Sequence, residues 1–252
     1  NIAIGDNAGL SLTSGASNCV LGAAAGDAIT TGNGNIAIGQ NALGAQTTPS
    51  NNIAIGNNAG QVNDTGDGFV VIGYRSGAAL TAGSTQNTFV GYEAGAAVTT
   101  GDYNTLVGGG AGDAQTTASN STFVGFAAGG AVTTAIENTF VGSGAGDAAT
   151  TGGHNTFVGF TAGGAVTTGA NNVLIGRYAG DAITTASENV GIGTHALGSN
   201  TSGTANVAVG TRAGDVITTG SNNTAMGDDV LGACTTGGNH TAVGFGALGA
   251  VT

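Results

Sequence analysis

The sequence predicts an all-β fold, a parallel β-solenoid of about fifteen 17-residue coils, and three observations lead to it. The first is a row of fifteen glycines, Gly5, Gly22, Gly39, Gly56, Gly73 and so on to Gly244, spaced by 17 residues except for 18 between Gly73 and Gly91. A fixed period of this length from end to end marks a chain whose repeats stack on one another. The second is the residue before each marker glycine, which is aliphatic in every coil, from Ile4 and Leu21 to Met226 and Val243. Two residues earlier stands a β-branched side chain in all coils but one, Cys19 being the exception, and such residues favour strands. The third is composition: 51 glycines, one proline, no Trp and no Lys are far from ordinary globular usage. Positive mean hydropathy excludes a charged disordered chain, and no Gly-X-Y triplet supports collagen.

With Asn1 as position 1 of the coil, each element follows from its residues. Position 1 is Asn in twelve coils, Asn87, Asn104, Asn138, Asn155 and Asn172 among them; Phe69, Ser121 and His240 replace it elsewhere. An amide repeated every coil can form a ladder along the stack, or cap a turn through local backbone. Positions 2 and 4 share one strand face, so the aliphatic column Val90, Val107, Val124, Val141 and Val158 is expected to be the stacked core. Position 3 points the other way yet is also apolar, with Phe89, Phe123, Phe140 and Phe157. A strand apolar on both faces is buried on both. A 17-residue coil has little chain left to cover the second face, so these rings are expected at an interface with another copy. The glycine at position 5 implies a corner with positive φ or a close backbone approach. Position 8 is Ala in thirteen coils, a small residue suited to a tight inner corner. Positions 11 and 13 share a face in a second short strand, and adjacent threonines such as Thr30 and Thr31 then point opposite ways, leaving one Thr column exposed. The extra residue of the 18-residue interval falls near Ser84, Thr85 and Gln86, in a loop that tolerates it.

Residues 1–252 read as a single repeat array, part of a longer fibre, since neither end carries a polar cap. Fifteen coils at about 4.8 Å would extend for about 70 Å. Fourteen acids against Arg75, Arg177 and Arg212 give a net charge of −11, which repels phosphate backbones and argues against nucleic acid. No apolar run of membrane-spanning length is present, so no membrane insertion is expected. Cys19 and Cys234 sit twelve coils apart, too far to bridge, and read as small buried thiols.

The segments Asn35-Ile36-Ala37-Ile38-Gly39, Asn52-Ile53-Ala54-Ile55-Gly56 and Asn206-Val207-Ala208-Val209-Gly210 resemble the Asn-Ser-Val-Ala-Ile-Gly signature of trimeric autotransporter adhesin heads. Units such as Asn155-Thr156-Phe157-Val158-Gly159 are similar to repeats of some phage tail fibres. The resemblance covers the whole chain as a repeat pattern. It implies a left-handed β-roll, a homotrimer of chains side by side, and an extracellular place on a cell surface or virion. The adhesin unit is shorter than 17 residues, and no stalk coiled coil or membrane anchor accompanies it here.

Chemistry is sparse. His154, His195 and His240 lie on separate coils without zinc-site spacing, and no nucleophile elbow or phosphate loop occurs. Asp113, Asp147, Asp181 and Asp215 recur every 34 residues at position 10, with Gly130, Gly164 and Gly198 between them. At about 9–10 Å apart, no two share one cation. The stretch 63–69 lacks calcium-loop spacing. A Thr-x-Thr face of the kind that orders water in ice-binding solenoids is missing. The expected function is a non-enzymatic structural fibre segment of a phage tail fibre or bacterial adhesin, without cofactor or metal, its alternatives a self-assembling extracellular filament and, behind that, an ice-binding solenoid. Its partners would be its own copies and cell-surface glycans or proteins. No deep pocket is expected, and recognition would use exposed loop residues such as Tyr103, Arg75 and Arg177.

Overall fold

The computed structural model describes residues 1–62, 66–81, 83 and 85–249. It is a parallel β-solenoid: among the described residues there is no helix, and each coil contributes one three-residue strand. Contacts divide the chain into two units, Asn1–Ser121 and Thr122–Thr252. The first holds β1 (Ile2–Ile4), β2 (Cys19–Leu21), β3 (Ile36–Ile38), β4 (Ile53–Ile55), β5 (Val70–Ile72), β6 (Thr88–Val90) and β7 (Thr105–Val107), each parallel to the next in chain order. The second holds β8 (Thr122–Val124), β9 (Thr139–Val141), β10 (Thr156–Val158), β11 (Val173–Ile175), β12 (Val190–Ile192), β13 (Val207–Val209), β14 (Thr224–Met226) and β15 (Thr241–Val243), paired the same way. Register is coil on coil: Thr139, Phe140 and Val141 stand opposite Thr156, Phe157 and Val158. The inserted residue leaves it intact, since Thr88 still faces Val70 across the 18-residue interval.

The face expected to be the core is the outer one. Phe89, Phe123, Phe140 and Phe157 have no exposed surface within the single chain, so they are core residues and not an interface. Val90, Val107, Val141 and Val158 are half-buried and Val124 is exposed, so this column is not the core. The reason is parity. Asn at position 1 is buried in its ladder, and strand alternation then turns position 3 inward with it and positions 2 and 4 outward. Inside, Phe123, Phe140 and Phe157 stack with centroids 4.8 and 4.7 Å apart and planes within 8°. Burial of each ring contributes on the order of 1.5–3 kcal/mol.

Positions 9 and 12 complete the interior. The expected second strand is absent among the described residues: in most coils position 11 ends a turn and position 13 begins a bend, and position 12 between them points inward as Ile29, Leu80, Val98, Val132, Val166, Ile183 and Ile217, all fully buried. Position 9 adjusts to position 3. Where position 3 is Phe, position 9 is Gly, and a Cβ on Gly146 would come within 2.6 Å of the Phe140 ring. Where position 3 shrinks to Ala37, Gly191 or Ala225, position 9 becomes Leu43, Leu197 or Leu231, buried and holding φ of 52–57°. Ala54 and Ala208 keep glycine at position 9, as Gly60 and Gly214, and there Leu43 and Leu197 of the preceding coil reach over to fill the space.

The marker glycines meet both demands at once. Gly39 has φ of +127°, and a Cβ there would lie 2.6 Å from the carbonyl of Gly56 in the next coil. Any side chain would push adjacent coils apart. Cys234 is buried as expected, but Cys19, at outward position 2, is half-exposed; both are free thiols. Ser84 and residues 63–65 of the acidic stretch lie outside the described residues.

Candidate functional site

Three surfaces result from this folding, and a buried line of Asn residues holds them in register. The Asn155 backbone N–H donates to Asn138 Oδ1 at 2.9 Å, and that of Asn172 donates to Asn155 Oδ1 at 2.9 Å. In the other unit Asn104 donates to Asn87 Oδ1 at 2.9 Å. Each amide nitrogen also closes its own coil, Asn155 Nδ2 donating to Gly169 O at 2.9 Å and Asn87 Nδ2 to Gly101 O at 2.8 Å. The ladder and the local cap are therefore one arrangement. These amides are spent on backbone and face no solvent, which leaves them structural.

The outward sheet face is the first surface. Its side chains are Ile, Val, Thr, Leu, Met and Cys19 at positions 2 and 4 of fifteen strands, and no charged residue stands among them. Ile4 is 61 % exposed, Leu21 42 %, Met226 45 % and Val243 67 %.

The second surface is hydroxyl-bearing. Position 14 is exposed in every described coil, as in Thr31, Thr134 and Thr168, while position 13 is exposed or half-buried. Both Thr columns reach the surface because this segment is a turn and not a strand. The position 13 hydroxyls bond along the stack, Thr30 Oγ1 donating to Thr47 O at 2.8 Å and Thr218 Oγ1 to Thr235 O at 3.0 Å. Their outward groups are already committed to the neighbouring coil.

The third is the corner after the strand, at positions 6, 7 and 10. Tyr74 stacks on Tyr92 at 5.4 Å, and Arg75 pairs with Glu93 at 2.9 Å. In the second unit Phe160 meets Tyr178 edge-on at 5.4 Å, Tyr178 lies 5.1 Å from His195, and Arg177 sits over the Tyr178 ring at 4.6 Å. Arg212 donates to both Asp229 oxygens at 2.5 and 2.6 Å, a bond that holds the Asp229 carboxyl below its ordinary range. Gly198 leaves a notch between Asp181 and Asp215, and with His195, Ser199 and Arg212 they line an open depression of about 340 Å³. Partial burial pushes Asp113, Asp147, Asp181 and Asp215 up, opposed at Asp181 by the nearby His195 and reinforced at Asp215 by the charge of Asp229.

These side chains do not converge on a reacting centre. His154 pairs with Glu137 at 3.0 Å, His195 lies in the corner row and His240 donates its backbone N–H to Asn223 Oδ1 at 3.0 Å. Among the described residues no three His, Cys, Asp or Glu side chains group to hold a metal. No described helix is long and apolar enough to cross a membrane. Tyr103, Arg75 and Arg177 are exposed, at positions 17, 7 and 6 of their coils. The inward columns at positions 9 and 12 escaped the sequence reading; the reciprocal Phe/Gly and Ala/Leu pattern was the signal for the first. Comparison with protein-family models, curated proteins and solved structures finds no match to this chain.

Proposed function

We propose that this chain is a structural fibre segment of a phage tail fibre or bacterial surface adhesin, extracellular, non-enzymatic and assembled as a left-handed homotrimer. The observation that supports this reading is the continuity of bonding from coil to coil within each unit. Strand pairing, the buried Asn ladder and the Thr13-type hydroxyls all run along the stack. A fourth line joins them, Ala16 N donating to Asn33 Oδ1 at 2.8 Å and Ala170 N to Ser187 Oγ at 3.0 Å. Repeats tied only to their nearest neighbours, by many bonds parallel to one axis, suit a load-bearing spacer. The homotrimer and the handedness come from the resemblance to adhesin heads. Surface attachment would use weak contacts repeated over many copies. Sedimentation of the purified chain with electron microscopy tests the reading. Elongated particles of three chains are expected, and compact monomers at tens of micromolar would refute it.

A further inference from the structure

We infer that the outward sheet face, positions 2 and 4 of the strands, is the surface on which this chain packs against further copies of itself. The inference rests on the self-associating reading above and assigns its contact. A chain of net charge −11 repels its own copies wherever its acids face them. Its charged side chains stand at positions 6, 7, 10, 13, 16 and 17, and none at position 2 or 4. The corner rows are thus unsuited to a second copy, and the Thr columns present hydroxyls. The sheet face is instead free of charge and repetitive, aliphatic at position 4 of every strand and aliphatic, Thr or Cys at position 2, with Thr122 and Val124, Thr139 and Val141, Thr156 and Val158 on successive strands. Contiguous exposed apolar surface of this kind marks an interaction site.

Area and repeat indicate which partner. At about 4.8 Å per strand and about 10 Å across, the strip measures roughly 340 Å² on the first unit and roughly 380 Å² on the second, each a little under half of the ~800 Å² per partner of a standard specific interface. A second copy carries the same ridges at the same spacing, so every coil that meets the partner finds a matching one. Two sheets brought face to face settle about 10 Å apart with their side chains interdigitated, and three such narrow strips can share one central core.

The test places charge on that face of the full chain. Val124→Lys, Val141→Lys and Val158→Lys together are expected to reduce the sedimenting mass to that of one chain, with the β circular-dichroism signal retained. The same three charges at Thr134, Thr151 and Thr168 are expected to leave the mass unchanged. Cys19, half-exposed on the sheet face, provides a reading that needs no variant to fold. Its reaction with a bulky maleimide is expected to slow at least tenfold in the associated form relative to the diluted, dissociated chain, while buried Cys234 stays unreactive in both. An assembly that survives the valine replacements, or Cys19 labelling at one rate in both forms, would overturn this assignment while leaving self-association standing. A wild-type chain that never associates would overturn the fibre reading itself.

Discussion

Replacing Phe140 by Ala opens a void in the middle of a three-ring stack. Phe140 is fully buried, with Phe123 4.8 Å on one side and Phe157 4.7 Å on the other. Truncating a buried Phe costs about 3–5 kcal/mol, and the loss of two ring contacts of about 0.5–1.5 kcal/mol each places Phe140→Ala toward the upper end of that range. Gly146→Leu alone should also destabilise, because its Cβ would stand 2.6 Å from the Phe140 ring and the residue holds φ of +58°. Combined, the two changes recreate the pairing found in Ala37 with Leu43 and Ala225 with Leu231. The double variant is therefore expected to recover about half of the Phe140→Ala loss, short of all of it because the stack stays broken and a left-handed Leu costs about 1–2 kcal/mol. The effect of Gly146→Leu thus changes sign with its background, a coupling that a double-mutant cycle in urea denaturation measures. Amide exchange in the coils of β8–β10 localises it, since a repeat array need not unfold in one step. If Gly146→Leu were equally harmful in both backgrounds, the volume exchange between positions 3 and 9 would be refuted.

Two further outcomes follow from the ladder and the corner. Asn155→Ala strands the buried N–H of Asn172 and removes a donor from Gly169 O, and should cost about 2–5 kcal/mol with faster exchange of the Asn172 amide. Asn155→Ser should cost less, because Ser already fills this position at Ser121, where its hydroxyl donates to Ser119 O at 3.3 Å. Acidification should act against the usual direction at position 10. Asp113, Asp147, Asp181 and Asp215 have folded values above their unfolded ones, so between the two the folded chain holds more protons. Their contribution to stability then rises as pH falls through the folded values, while that of Asp229, held low by Arg212, is lost only as pH falls through its own lower value. Melting temperatures across pH 7 to 4 should show Asp147→Asn more stable than wild type at neutral pH, with a smaller difference in acid; the same shift at every pH would contradict the assignment.

The sequence by itself determined everything that depends on period. Seventeen-residue spacing located all fifteen strands, and the marker glycine announced a positive φ or a close backbone approach, of which Gly39 against Gly56 has both. The recurring Asn announced a ladder or a turn cap, because an amide repeated at coil spacing has itself and its own turn as neighbours, and Asn155 does both. Which strand face turned inward was decided only by the tertiary structure. Alternation defines two faces without ranking them, and here both were apolar, Phe140 on one and Val141 on the other. Closure of the coil settled it: the buried Asn shares parity with position 3, and the interior has room for a ring there because position 9 is glycine. The outward column at positions 2 and 4 is half-buried by its own neighbours along the stack and not by the interior, which is why reading it as core failed.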